Sequence, residues 1–350
     1  MKLRFIIITA TLLLVLPPML LQAQQELPLN QKRLSERVLL VWIGDYMQTI
    51  TVVALNTTEG IVVIETSLIR SHDARIRRVI EKEFGRNDFK YLINTHYHHD
   101  HTAGNQIYSD ATIIGHKNIP AGMKAELTGE GLIKLIAKFK GMLKEREAIL
   151  MEAEPQSDEY KFTEEFIICL KMAIAELQDG FIPTYPSVLF EKNLTLDMGD
   201  MTLELYSFGG MHTDSDIVIF VPEEGFVAVG DVTPDRWIPY MNKNLTCDFA
   251  VTLEHWGRIV EGDRDIKYVN MAHSDMFLSV ECFKEQYQYL HTLWQGLSEM
   301  VQQGMKIEDA KEKYTIEEDF PYFRDKRTKV RRERIHENNI ETIWERISMK

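Results

Sequence analysis

The sequence predicts an α/β fold in which two β-sheets pack together with helices outside them. Short apolar runs of strand length occur in two sets, one on each side of a long middle segment. The middle segment and the C-terminal part instead repeat apolar residues at helical spacing. We therefore expect two strand-rich halves, a helical insertion between them and a helical extension at the C-terminal end.

The first half is expected to contain five strands and one helix. The strands are predicted at 38–43, 49–55, 61–64, 91–94 and 111–114. Gly44 and Asp45 form a turn signal between the first two. The helix, predicted over 73–84, ends before Gly85, a residue typical of helix C-termini. His116, just after the last strand, is expected to be a packed loop histidine.

Residues 119–185 are predicted to be an inserted helical pair. Apolar residues at helical spacing recur on both sides of 152–158, which contains Pro155 and is expected to be the turn between the two helices. The insertion separates the two strand-rich halves, so both its ends return to the main fold. It could be a lid or substrate wall, or a packing elaboration without a role in the chemistry.

The second half is expected to contain five more strands, at 194–198, 202–207, 217–221, 226–229 and 268–271. From residue 280 onward the chain is expected to be helical and highly charged. Residues 24–290 are predicted to form the main domain, and 291–350 the helical C-terminal extension.

The most informative motif is a dense set of potential metal ligands within residues 94–105. It contains His96, His98, Asp100 and His101 in the order H-x-H-x-D-H, directly after the apolar run 91–93. Side chains alternate along an extended chain, so the first two histidines point the same way, and a turn after them could aim the other two side chains at a second ion. Imidazole and carboxylate groups together suit zinc and related divalent ions. The alternative is a polar loop that is rich in histidine.

Three later residues are also potential metal ligands, and each follows an expected strand. His212 follows the strand at 202–207, Asp231 ends the run that begins at 227, and His273 ends the run that begins at 268. Active-site residues commonly lie where a strand of a rigid scaffold ends and a loop begins. Each could be structural on its own, but with the first cluster they favour a site for two ions.

These motifs resemble those of the metallo-β-lactamase superfamily of hydrolases. The resemblance covers residues 38–273, interrupted by the insertion, and it implies a four-layered αββα sandwich with two zinc ions per chain. It further implies that one ion is held by His96, His98 and His212, the other by Asp100, His101 and His273, with Asp231 bridging the two. His99 occupies a variable position of the motif and is expected not to be a ligand.

The chain departs from the family pattern in its acidic residues and cysteines. The best-known lactamases place a cysteine on the second metal, whereas Asp231 stands at the comparable strand end and Cys169, Cys247 and Cys282 lie elsewhere. Asp231 could bridge the ions or bind only one of them. Glu65 stands where the family usually has an aspartate, and this longer acid could shift the groups that orient a ligand histidine.

The resemblance implies a hydrolase that uses a metal-bound hydroxide on a β-lactam, lactone, ester or thioester carbonyl. Asp100 would be its catalytic residue, orienting the nucleophile and accepting its proton. A redox di-iron enzyme of the same fold is one alternative, although such members replace a histidine of the first cluster by glutamate and carry a flavin domain. A non-catalytic binding protein is another, although such members typically lose ligands.

Four residues beside the expected ligands could contact a small-molecule substrate. Tyr46 lies at the first hairpin, and Arg236, Trp237 and Tyr240 follow Asp231. The aromatic residues could pack on an apolar part of the substrate, and the arginine could bind a carboxylate. Each could equally be structural.

The composition and the N-terminus indicate a globular, exported protein. With 45% hydrophobic and 27% charged residues, the 350-residue chain can bury a full core. Its net charge of −13 disfavours nucleic acid and anionic membrane surfaces as partners. Residues 1–23 resemble a signal peptide, with basic residues before an apolar run, so we expect a periplasmic or secreted protein with no membrane association after cleavage. An uncleaved anchor is the alternative, and the oligomeric state stays open.

Overall fold

The structure is a computed structural model that describes residues 26–47, 49–207, 209–232, 238–243, 249–262, 264–273, 280–320, 323 and 329–348. Within these ranges the chain forms two β-sheets flanked by helices. The predicted α/β class and the αββα sandwich with a helical C-terminal extension are therefore confirmed. The predicted signal peptide lies outside the described residues.

The first sheet has seven strands in the described part of the chain, and they follow one another in sequence order. The first four are antiparallel, and the last four run parallel to one another. The fourth strand is buried throughout, which explains its continuous apolar run. The strands are Leu29–Arg33 (β1), Val38–Ile43 (β2), Val52–Thr57 (β3), Gly60–Ile64 (β4), Phe89–Ile93 (β5), Thr112–His116 (β6) and Val188–Phe190 (β7).

Differences from the predicted strands of this sheet have local causes. Strands β1 and β7 were not predicted. Strand β1 is polar and so shows no apolar run, and β7 has only three residues. Strand β3 begins later than expected, since Thr51 donates its N–H to Ala272 O (2.8 Å) rather than to a neighbouring strand. His116 is buried as expected, but it ends β6 instead of lying in a loop.

The second sheet has five strands among the described residues, in the order β12-β11-β10-β9-β8. Strands β8 to β11 form an antiparallel meander, and β12 adds in parallel to β11. All five predicted strands are present, within one or two residues of their expected ends. They are Asn193–Asp197 (β8), Thr202–Tyr206 (β9), Val218–Val221 (β10), Phe226–Ala228 (β11) and Tyr268–Asn270 (β12).

Ten α-helices lie within the described residues. They are Arg70–Phe84 (α1), His99–Thr102 (α2), Ile119–Leu127 (α3), Gly129–Glu152 (α4), Asp158–Gln178 (α5), Phe249–Val260 (α6), Val280–Gln302 (α7), Ile307–Lys313 (α8), Ile316–Asp319 (α9) and Lys329–Ser348 (α10). Helix α1 ends before Gly85, whose left-handed φ of 66° suits glycine. The predicted helical pair of the insertion corresponds to α4 and α5. Helix α3 precedes them as a separate short helix that the apolar period did not resolve.

The C-terminal helices share a core with the second sheet. Buried side chains of α7 and α10, including Leu290 and Ile340, pack in the same cluster as Val227 and Val269 of the sheet. Helix α7 runs through residue 290, so the predicted boundary between 290 and 291 falls inside a continuous helix. Among the described residues, no helix has the length and apolar character needed to cross a membrane.

Candidate metal centre

The first ligand motif lies at the end of β5, a buried strand of the first sheet. The backbone bends at Thr95 and His96 after the strand, and the single-turn helix α2 begins at His99. In this turn the His101 ring lies beside the His96 ring, with 4.0 Å between their centroids. The backbone thus bends at His96 and turns again at α2, where the sequence had allowed either an extended or a turning segment.

His96, His98 and His212 converge on one point. His96 Nε2 and His212 Nε2 each lie 3.0 Å from His98 Nδ1. Burial lowers the pKa of His96 well below its ordinary value, lowers that of His98 to about 4, and lowers that of His212. The three rings are therefore neutral at pH 7, with ring nitrogens aimed at a common centre.

Asp100, His101 and His273 form a second group beside the first. His273 Nε2 lies 3.4 Å from Asp100 Oδ2, and His101 Nε2 lies 3.9 Å from the same oxygen. Burial opposes protonation of His273, but the carboxylates of Asp231 and Asp100 outweigh burial and raise its pKa to about 10. The second group is therefore an environment that favours positive charge.

The Asp231 carboxylate lies between the two groups. Its Oδ2 is 3.6 Å from His212 Nε2 and 3.3 Å from His273 Nε2, and its Oδ1 is 3.5 Å from His101 Nε2. One side chain thus contacts ligands of both groups, which is the geometry a bridging carboxylate needs.

The two groups fit divalent metal ions. In each group, one nitrogen or oxygen atom per residue lies within 4.8 Å of the others. His101 Nε2 and Asp231 Oδ1 are buried without a hydrogen-bond partner, a costly state for polar atoms that a bound cation would relieve. A set of neutral imidazoles with carboxylates is the donor chemistry that zinc accepts.

Glu65 supports the second group from beneath. It follows β4 with a left-handed φ of 71°, which is rare for a side chain of this size. Its Oε1 lies 3.2 Å from His101 Nδ1 and accepts a short hydrogen bond from Thr95 Oγ1. The carboxylate therefore lies beside the His101 ring, at the position where the longer acid was expected to shift the groups that orient a ligand histidine. Glu65 also forms a third possible ligand group with His96 and His101.

Asp216 was missed by the sequence analysis, although it shapes the loop that carries His212. Its carboxylate accepts N–H groups from Met211 (2.8 Å), His212 (2.7 Å) and Thr213 (2.9 Å). These bonds wrap the loop around one buried side chain. The available signal was an aspartate four residues after the histidine, because such short acids often cap local backbone N–H groups.

His99 faces away from the two groups and contacts the insertion. Its ring Nδ1 lies 3.0 Å from Glu126 on α3, and its ring centroid is 5.5 Å from that of Phe139 on α4. This placement agrees with the expectation that His99 is not a ligand. Glu126 lies in no recognisable sequence motif. Through its contact with His99, it places the insertion next to the first ligand motif.

The four predicted substrate contacts have different outcomes. Tyr240 is half-exposed, and its ring centroid lies 6.5 Å from that of His212. Tyr46 is also exposed but is tied to the insertion, with its N–H bonded to Glu165 Oε2 (2.9 Å). Arg236 and Trp237 lie outside the described residues.

Comparison with known proteins decides the family. The sequence profile of the metallo-beta-lactamase superfamily matches residues 43–270, more than half of the chain. The chain belongs to this superfamily. No curated protein matches the sequence.

Solved structures of metallo-beta-lactamase folds resemble the protein at low sequence identity. A stereoselective inverting sec-alkylsulfatase from Pseudomonas sp. is 12% identical with a TM-score of 0.59, covering 91% of this chain and 50% of its own. The chain thus spans half the length of that alkylsulfatase. A metallo-beta-lactamase family protein from Thermus thermophilus is 15% identical with a TM-score of 0.51, covering 77% of this chain and 84% of its own. At these identities the likeness concerns the fold.

Proposed function

We propose that the protein is a hydrolase that binds two zinc ions and attacks the carbonyl of a small molecule such as a β-lactam, lactone, ester or thioester. One observation carries this proposal: seven candidate ligands from four separate segments meet in two adjacent groups that share Asp231. Packing alone does not require three histidine nitrogens to face one point. Membership of a superfamily with a hydrolase fold supports the same conclusion.

The residues take distinct roles in this proposal. His96, His98 and His212 hold one ion, Asp100, His101 and His273 hold the other, and Asp231 contacts both. When bound, such a pair of ions lowers the pKa of water and offsets negative charge on the carbonyl oxygen.

Asp100 is the proposed catalytic residue. Burial raises the pKa of the Asp100 carboxyl, but His101 and the hydrogen bond with His273 outweigh burial and hold it well below the usual value. The residue is therefore ionised at pH 7 and can orient the attacking water and accept its proton.

A hydrolysis screen combined with metal analysis tests the proposal. The protein is reconstituted with zinc and, separately, with iron, and each form is assayed on a β-lactam, an acyl lactone, an aryl ester, a thioester and a secondary alkyl sulfate. Zinc-dependent turnover of a carbonyl substrate supports the proposal. Turnover of the sulfate alone would replace the carbonyl by a sulfate ester as substrate class. Two bound ions without turnover of any substrate would favour a binding protein, and redox activity with iron would favour an oxidoreductase.

We also propose that the chain is exported by its N-terminal segment and acts in the periplasm or outside the cell. The support is the basic and apolar pattern of residues 1–23. N-terminal sequencing of the protein recovered from each cell fraction tests this, with a mature chain beginning near residue 24 expected outside the cytoplasm.

A further inference from the structure

The segment 238–242 lies beside His212 of the candidate metal centre, and two different parts of the fold hold it. On one side, Asn242 donates its N–H to Met211 O at 3.1 Å, directly before His212. On the other side, the segment meets the C-terminal helix α10. Tyr240 lies between these attachments with a half-exposed ring beside the His212 ring.

Helix α10 holds the segment with two consecutive asparagines. Asn339 Oδ1 accepts the N–H of Met241 (3.1 Å), and Asn339 Nδ2 donates to Pro239 O (2.6 Å). Asn338 Nδ2 donates to Met241 O at 2.9 Å. The backbone groups on both sides of Tyr240 are therefore bonded to α10, so the position of this helix fixes the position of the tyrosine.

The asparagine that makes two of these bonds is itself held rigidly. Asn339 is fully buried, and its Nδ2 also lies 3.0 Å from the Tyr289 hydroxyl of α7. The same hydroxyl lies 3.0 Å from His336 Nδ1. A buried amide whose partners are all fixed is expensive to replace and holds its neighbours in one arrangement. An apolar residue at position 339 would pack equally well between the helices. The polar side chain of Asn339 therefore indicates that it positions the segment 238–242.

We propose that the C-terminal helix is part of the substrate site: Asn338 and Asn339 position Tyr240 beside His212, where the tyrosine contacts the substrate and determines which substrates the metal centre accepts. That Tyr240 contacts a substrate rests on the proposed function. The clamp, by which we mean the hydrogen bonds from Asn338 and Asn339 to residues 239 and 241, does not depend on that function. An aromatic ring at the edge of a metal centre favours ligands with an apolar or aromatic group beyond the reacting bond.

Hydrogen exchange tests the clamp without any need for activity. Asn339→Leu keeps the volume but removes the bonds to Met241 and Pro239, so we expect faster exchange in peptides covering 238–243 and unchanged exchange in 94–105. Asn338→Ala, at a partly exposed position, removes one bond and serves if the first variant folds poorly. Glu337→Ala, on the exposed face of the same helix, is the control. Unchanged exchange in 238–243 for both asparagine variants overturns the proposal.

Ligand selectivity tests the role of Tyr240. The zinc-loaded protein is titrated with acetate and with 4-phenylbutyrate, and its kinetics are measured on a methyl and a phenyl ester. We expect Tyr240→Ala and Asn339→Leu each to lower the preference for the aromatic ligand about fivefold, with KM for the phenyl ester rising more than kcat falls. Because Asn339 acts through Tyr240, the double variant should resemble either single one. An unchanged preference in Tyr240→Ala, or strictly additive effects, overturns the proposal, whereas a protein that binds no metal contradicts the proposed function instead.

Discussion

Glu126 on helix α3 accepts hydrogen bonds from both the backbone N–H and the ring Nδ1 of His99, at 3.2 and 3.0 Å. Its other oxygen, Oε1, lies 3.8 Å from His98 Nε2. His98 turns its Nδ1 toward His96 and His212, so when Nδ1 binds an ion the proton of the neutral ring lies on Nε2, on the side of this carboxylate. The insertion thus contributes a charge behind a candidate metal ligand.

Replacing Glu126 with glutamine is expected to weaken metal binding at the first group. The amide cannot offset the charge that His98 acquires on coordination, and carboxylates behind ligand histidines typically change affinity by at least about tenfold. Competition titration with a chromophoric chelator measures the change in Kd. Glu130→Gln removes the same charge from an exposed position of α4 and should leave Kd unchanged. Equal affinities for Glu126→Gln and wild type would show that the insertion does not act on the centre.

His212→Ala is expected to remove the first ion selectively, and His273→Ala the second. Each residue belongs to one group only, so each variant loses one ligand of three. Stepwise titration followed by elemental analysis should give about one ion per chain in each variant and two in the wild type. His291→Ala, a histidine on α7 that stacks on Tyr287, is the control. Retention of two ions in both variants would contradict the proposed ligand sets.

Asp100→Asn is expected to abolish most hydrolysis while the first ion stays bound. Asparagine has the same shape but neither accepts the proton nor carries the charge, and such losses commonly cost about 10²- to 10⁴-fold in rate. The kcat of the zinc-loaded variant measures this on whichever substrate the screen identifies. Asp214→Asn makes the same change at an exposed position of the His212 loop and is the control. Wild-type turnover in Asp100→Asn would remove Asp100 from the chemistry.

Stability should fall as pH rises through neutrality because of Asp73. This residue is fully buried, and burial raises the pKa of its carboxyl to about 7 despite hydrogen bonds from Ser67. Since the folded pKa lies above the unfolded one, the protonated form is favoured by folding. The resulting stability is fully present below pH 3.8, the ordinary value, and is lost as pH rises through 7.

Asp73→Asn removes this pH dependence because an amide does not titrate. The asparagine side chain can still accept the N–H of Ser67 and donate to the Ser67 hydroxyl. Relative to wild type, we expect the variant to gain a few kcal/mol (~2–4) in free energy of unfolding between pH 5 and pH 8. Urea unfolding at the two pH values measures it. Asp179→Asn, at an exposed position, should track the wild type. A parallel pH dependence in Asp73→Asn would show that another group is responsible.

Gly104→Ala is expected to destabilise the fold by ~1–3 kcal/mol, as overpacking typically does. A Cβ atom at this position would lie 2.0 Å from Asp73 Oδ2 and 3.0 Å from Thr66 Cβ. The backbone at Gly104 has a φ of −81°, so the space and not the conformation requires glycine. Thermal unfolding tests this against Gly141→Ala, a helical position with no atom within 4 Å, where alanine should stabilise slightly. Equal melting temperatures for Gly104→Ala and wild type would contradict the steric explanation.

The sequence by itself determined where the strands that carry the ligands end. Apolar runs followed closely by histidine or aspartate predicted the ends of β5, β11 and β12, because a buried strand is apolar and active-site residues commonly lie where a strand ends and a loop begins. The H-x-H-x-D-H spacing predicted that the first two histidines point the same way, and that a turn after them could aim the other two side chains at a second ion. These properties are local, so the printed residues are sufficient to predict them.

Only the tertiary structure decided which distant groups support the centre. Glu126 lies beside His99, and Asn339 lies on the segment of Tyr240, although the bonded residues are 27 and 100 positions apart along the chain. Nothing in the local sequence of either residue marks it, because a carboxylate or an amide acquires its role from what folding brings against it. Helix boundaries follow the periodicity of one segment, whereas the contacts between the insertion, the C-terminal helix and the ligand loops depend on how separate elements pack, and no short pattern encodes that packing.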